Sequence, residues 1–126
     1  MTTTDTRAEL IRIWDTTEAR LIQLVASPAE YLEETGEDPE EDPISTFITN
    51  DVLEIKREQY LSDREGWITN YYTLVTGTGG PHVEFTTSYR INVYWGGEVL
   101  EGGTHDDQAR EAIDRIEDWL NEVVAK

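Results

Sequence analysis

The chain has no cysteine, which excludes disulfides, thiol nucleophiles and thiolate metal sites and is the usual pattern of a reducing compartment. Lysine is nearly absent, at Lys56 and Lys126, and positive charge is scarce altogether. Ten Lys and Arg face 27 Asp and Glu, for a formal net charge of -17 and a pI near 4.2. Such a field repels nucleic acid and anionic membranes, and it attracts basic protein surfaces over a Debye length of about 8 Å at physiological salt. Long apolar runs are missing too: none approaches the ~20 residues of a membrane helix. Met1-Thr2-Thr3-Thr4-Asp5 lacks the basic start and apolar stretch of a signal peptide. These absences lead to an expectation of a cytoplasmic protein with no membrane association and no direct contact with nucleic acid.

What is present is a domain-sized chain of 126 residues with four Trp and six Tyr, whose rings bury much area per residue and argue against a disordered acidic tail. We expect one domain over 1–126: a helical part over 1–50 with an acidic loop at 37–43, an antiparallel sheet over 51–101, and a C-terminal helix over 104–126. Asp5 or Thr6 would cap a first helix that buries Leu10, Trp14, Leu21, Leu24 and Val25. A second cap at Asp15-Thr16-Thr17-Glu18 leaves open a bend into two helices. Ser27-Pro28-Ala29-Glu30 has the pattern of a capping box with proline at the first helical position, and Gly36 a stop, so a short helix is expected at about 28 to 35. Asp42-Pro43 would cap a further turn through Phe47, stopped by Asn50.

Strand signals occupy Val52 to Tyr60, Trp67 to Thr76, Val83 to Thr87 and Arg90 to Trp95, with a short fifth at Glu98 to Glu101. Turns as tight as Ser62 to Gly66, Gly77-Thr78-Gly79-Gly80-Pro81 and Gly96-Gly97 require antiparallel neighbours, since a parallel crossover needs a dozen or more residues. The fold class is therefore α+β: a four- to five-stranded antiparallel meander with N-terminal and C-terminal helices packed on one face. Tyr72, Leu74, Val83, Phe85, Ile91, Val93 and Trp95 are expected to point inward. Tyr71, Thr73, Glu84, Thr86, Asn92 and Tyr94 would then lie on the other face, which either meets water or, through Tyr71 and Tyr94, forms a protein contact such as a homodimer. In the last helix, opened by Thr104-His105-Asp106-Asp107, the core residues would be Ala109, Ile113, Ile116, Leu120, Val123 and Val124.

The acids are not evenly spread. Asp107, Glu111, Asp114, Asp118 and Glu122 fall at steps of four, three, four and four, which makes one carboxylate stripe with side chains about 5 to 6 Å apart. Glu30 to Asp42 holds eight acids and no base, ending in Glu37, Asp38, Glu40, Glu41 and Asp42 around Pro39. From Trp67 through Gly97 the charged residues are Glu84 and Arg90 alone. A helix face of this kind is ordinarily just solvated, and the pairs Asp106–Arg110 and Glu111–Arg115 would serve to support the helix. A row of fixed carboxylates also imitates part of a phosphate row.

Other chemistry finds little footing. Gly77-Thr78-Gly79-Gly80 runs into Pro81-His82 and a strand, so it is a turn and not a phosphate loop. His82 and His105 are isolated and give no metal signature, and the acidic loop lacks the residue order of a calcium loop. No carboxylate pair is marked out as acid and base. Neither a cofactor nor a catalytic residue is assigned.

Asp51-Val52-Leu53-Glu54-Ile55, Tyr72 through Glu84 with its Gly79-Gly80-Pro81, and Val93-Tyr94-Trp95-Gly96-Gly97 resemble a diffuse group of small acidic proteins encoded by phages and mobile elements. The likeness covers roughly residues 50 to 120. It implies an anti-defence role, of the anti-CRISPR or anti-restriction kind, with the partner a basic nucleic-acid-binding protein of a host defence complex. The alternative is a halophilic adaptor or housekeeping protein whose acidity serves solubility in brine.

Overall fold

The computed structural model describes residues 3–78 and 80–124, and their side chains over 6–78 and 80–123. Among these residues, four helices and five strands follow the order α1 (Thr3–Ala26), α2 (Pro28–Glu34), α3 (Pro43–Asn50), β1 (Glu54–Ser62), β2 (Gly66–Gly77), β3 (His82–Thr86), β4 (Arg90–Trp95), β5 (Glu98–Gly103) and α4 (Asp107–Val124). The strands form one antiparallel sheet in sequence order, β1-β2-β3-β4-β5. The fold is α+β, with the helices on one side of a meander. Among the described residues no helix is long and apolar enough to cross a membrane.

The helices differ from the sequence reading in their ends, for local reasons. α1 is unbroken, because Thr16 and Thr17 do not cap a second helix: their hydroxyls donate to the carbonyls of Arg12 and Ile13 at 2.8 and 2.9 Å, a bond made inside a helix. Since α1 begins at Thr3, Thr6 lies within it and is buried, while the side chain of Asp5 falls outside the described residues. Ser27 occupies the N-cap of α2 without making the side-chain bond expected of it, leaving proline as the starting signal. The Gly36 stop is real: at φ +76° its N–H donates to Glu33 O at 3.1 Å and that of Glu37 to Leu32 O at 2.9 Å, a Schellman ending. α3 extends two turns instead of one and buries Ile44, Phe47 and Ile48, with Asp42 accepting from Ile44 N–H at 3.3 Å.

The sheet is shifted at its edges. β1 starts at Glu54 because Asp51 still belongs to the end of α3, its N–H donating to Phe47 O at 2.8 Å. It runs on to Ser62, whose hydroxyl accepts from the N–H groups of Arg64 and Glu65 and closes the turn. β5 continues past Glu101 to Gly103. Glycine at 102 has a reason: a Cβ there would lie 3.3 Å from Trp14 Nε1. That close approach lets the Trp14 indole reach across from α1 and donate to Ile91 O at 2.9 Å.

The core lies between the inner sheet face and the helices. Tyr72, Leu74, Val83, Phe85, Ile91 and Val93 are buried as expected, and Trp95 is half-buried. Leu21, Leu24, Tyr31, Phe47, Ala109, Ile113, Ile116 and Leu120 meet the larger part of this face, while Leu10 closes the end at Val83 and Val93. Tyr31, Phe47 and Phe85 stack in tilted succession at 6.4 and 6.0 Å. Val123 departs from the expected core and is 54% exposed, in the last turn of α4 beyond Asn121, which accepts from the Tyr72 hydroxyl at 3.0 Å. The side chain of Val124 lies outside the described residues.

Removing the ring at the sheet end of this stack leaves a cavity that the sheet cannot collapse around. Phe85→Ala should cost about 3–5 kcal/mol in urea unfolding, whereas Ile11→Ala on the exposed side of α1 should cost under about 1 kcal/mol. Comparable losses at the two positions would contradict this core.

Candidate functional site

The acids that the sequence set apart are gathered into two segments. Between Glu30 and Asp51 there are nine acids and no base, and between Asp106 and Glu122 there are seven acids against Arg110 and Arg115. These segments together account for -14 of the net -17.

On α4, burial of Ala109, Ile113, Ile116 and Leu120 turns the opposite side to solvent, and Asp107, Glu111, Asp114, Asp118 and Glu122 are all exposed there. At 1.5 Å rise per residue the row extends about 22 Å. Asp106 opens the helix, accepting from the N–H groups of Gln108 and Ala109 at 2.9 and 3.0 Å. Both arginines have other work. Arg110 turns back, its Nε donating to Thr104 O at 2.8 Å and its guanidinium lying 4.8 Å from the Tyr89 ring centre. Arg115 reaches Glu111 at 3.4 Å in an exposed pair, a contact that ordinarily contributes little.

Tyr89 anchors the row to the sheet. It takes a left-handed backbone (φ +68°) in the turn between β3 and β4, with its hydroxyl donating to Asp114 Oδ1 at 2.6 Å. Holding the anionic Asp114 beside it pushes the Tyr89 phenol pKa up, since ionisation would set two negative charges together and lose that bond. Asp114 is thus both a member of the row and its fastening.

The segment from Glu30 to Asp51 is folded back on itself. Glu37 accepts from Asn50 Nδ2 at 2.9 Å, Asp38 accepts from the Glu40 N–H at 2.9 Å, and Asp42 caps α3; Glu40 and Glu41 point into solvent. The loop is therefore held by its own carboxylates. Arg20 of α1 is the base that faces this segment, 3.6 Å from Glu34 and 3.9 Å from Asp51, with its guanidinium 5.1 Å from the centre of the Tyr31 ring. The Tyr31 hydroxyl contacts Asp51 Oδ2 at 3.3 Å, and its pKa is raised well above the usual value, first by burial and then by Asp51.

On the outer sheet face, exposure is uneven. Thr73, Thr86 and Asn92 at its centre are buried. Glu84 joins His82 at 3.0 Å and Asn92 Nδ2 at 3.4 Å, and Thr86 bonds Ser88 at 2.7 Å. Tyr71 is half-buried and Tyr94 is 37% exposed, its ring edge-on to His82 at 5.5 Å. Burial, then Glu84 and Glu101, raise the Tyr94 phenol pKa. His82 pairs with the Tyr94 end of β4, whereas His105 follows Gly103, which pairs with Arg90 at the other end, so the histidines do not meet. His105 Nδ1 lies 3.2 Å from Arg110. Among the described residues no group of three or more His, Asp or Glu is arranged to hold a metal.

The sequence reading gave the β1–β2 hairpin but not its exposure. Leu53, Ile55, Tyr60, Leu61 and Trp67 are all exposed, although the alternation around them reads as an ordinary half-buried strand. No protein-family model, no curated protein and no solved structure matches the chain.

The buried phenol gives a pH test of the Glu30–Asp51 segment. With its folded pKa above that of an unfolded tyrosine, Tyr31 is neutral in both states below about pH 10 and its stabilising contribution is intact there. Above that pH the unfolded chain ionises first and stability falls. Tyr31→Phe should therefore lose less urea stability than wild type between about pH 10 and 11.5. Parallel losses would contradict the placement of this ring.

Proposed function

We propose that the protein is a non-catalytic binding protein whose α4 carboxylate row occupies the basic nucleic-acid-binding surface of another protein and blocks it. The observation that carries this reading is the concentration of -14 of the -17 charge in two segments, beside a sheet that from Trp67 to Gly97 holds Glu84 and Arg90 alone. Acidity that served hydration in brine would be spread over the whole surface, sheet included. A row fastened by Tyr89–Asp114 and a rigid helix holds its charges at fixed spacing, so each carboxylate can stand where a phosphate would stand opposite Lys or Arg. Glu37, Asp38, Glu40, Glu41 and Asp42 provide a second contact. Such charges steer encounter and fix register more than they add affinity. The resemblance over residues 50 to 120 supplies the setting, an anti-CRISPR or anti-restriction inhibitor.

The test is displacement of a labelled DNA duplex from a basic DNA-binding protein, followed by fluorescence anisotropy. The wild-type chain should displace the duplex and lose potency as salt rises. A variant with Asp107, Glu111, Asp118 and Glu122 changed to Lys should lose at least about tenfold in potency, given the coupling energies of close charge pairs across interfaces. Asp114 is left in place because it holds Tyr89. Equal displacement by both proteins, with both folded, would end the reading. Unfolding of the wild type in dilute buffer, with recovery in molar salt, would give brine adaptation instead.

A further inference from the structure

β1 ends the sheet. β2 pairs with it on one side and, among the described residues, no strand lies on the other; all of its residues from Glu54 to Leu61 are exposed on both faces. The hairpin also outruns the sheet: β3 pairs with β2 only from Thr73 onward, so the stretch from Gln59 to Asn70, with a bulge between Glu58 and Gln59, stands free of the third strand. Most of its apolar side chains are left uncovered, with Leu61 opposite Trp67 in register at 64% and 67% exposure and Tyr60 at 52%; Leu53, just before β1, is 61% exposed. An unpaired strand edge with exposed apolar neighbours is a template for further strand pairing.

The charge along this edge bears on the choice of partner. From Val52 to Gly66 the acids are Glu54, Glu58, Asp63 and Glu65 and the bases Lys56, Arg57 and Arg64, a net of -1 in a chain of -17. Two copies meeting along this edge therefore repel each other far less than they would through either acidic segment. In an antiparallel pair related by a two-fold axis normal to the sheet, directly opposed residues share a face, and one residue opposes itself. With Arg57 at the axis, Lys56 of each copy opposes Glu58 of the other, and Leu53 opposes Leu61. Of the two-fold registers that use most of the strand, it alone sets opposite charges against each other. Centring on Glu58 opposes two glutamates, and centring on Lys56 opposes two lysines and sets Glu54 against Glu58. The two Arg57 side chains are long enough to splay apart with their heads in water.

We propose that the chain forms a homodimer through β1, two copies pairing antiparallel about Arg57 into a continuous ten-stranded sheet, with Leu53, Leu61 and Trp67 covered in the joint. The acid rows of α4 take no part in it.

The absence of cysteine gives a direct test. Opposed Cβ atoms in an antiparallel pair lie about 4.5–5.5 Å apart, close to the span of a disulfide, so Arg57→Cys should oxidise rapidly to a covalent dimer. Glu54→Cys, which opposes Tyr60 in this register, should not. Sedimentation of the wild type should show a dimer that tightens as salt rises, because salt screens the repulsion between two copies of charge -17. The double variant Leu61→Lys, Trp67→Lys, at exposed positions that leave the monomer folded, should weaken it by more than about tenfold. A monomer at every concentration and salt would overturn the proposal and leave the arm to an extended segment of another protein. So would crosslinking at Glu54→Cys as fast as at Arg57→Cys. The opposite salt dependence expected for docking on a basic partner lets either reading fail without the other.

Discussion

The constraint on which this molecule depends is that a chain with 37% hydrophobic residues and a charge of -17 must put nearly all its burial on one face of one sheet. Phe85, Leu74 and Ile91 supply the sheet side of that contact, and α1 and α4 cover it with Leu21, Leu24, Ile113, Ile116 and Leu120. Because α4 must present its apolar side there, its carboxylates have one direction left. The ridge is thus a by-product of the core, made rigid by the Tyr72–Asn121 and Tyr89–Asp114 bonds that tie α4 to the sheet. The same economy leaves β1 exposed among the described residues, since the helices lie over the other strands.

Much of this was legible in the residues. The meander followed from the short turns, and the α4 row from its three-and-four spacing, because both are set by local geometry that tertiary context does not alter. Arg90 to Trp95 and the inner face of Tyr72, Leu74, Phe85 and Val93 came from strict alternation. The helix-end failures share a cause in side-chain bonds that sequence alone does not choose. Thr16 and Thr17 had the pattern of a cap and bonded back to their own helix instead; Ser27 had the pattern of a capping box and made no bond. The nakedness of β1 was hidden because alternation reports which residues share a face, not whether anything lies over that face. On the outer face likewise, alternation placed Thr73, Thr86 and Asn92 together without showing that they are buried.

Charge and apolar exposure are thus divided between different parts of the molecule. The two acidic segments are built from elements fastened by their own hydrogen bonds, and the hairpin arm, close to neutral, carries the exposed rings. A surface partitioned in this way can serve one partner by electrostatic attraction and another by strand pairing, with opposite responses to salt.

The central claim, that cationic protein is met by two acidic segments and not by the surface at large, is tested most directly by amide chemical shifts during titration with an arginine-rich peptide. Shifts confined to residues 30–51 and 106–122 and to Tyr89, which bonds Asp114, with the rest of Trp67 to Gly97 unmoved and the whole effect reversed by salt, are the predicted result. Shifts of equal size across helices and sheet would contradict it.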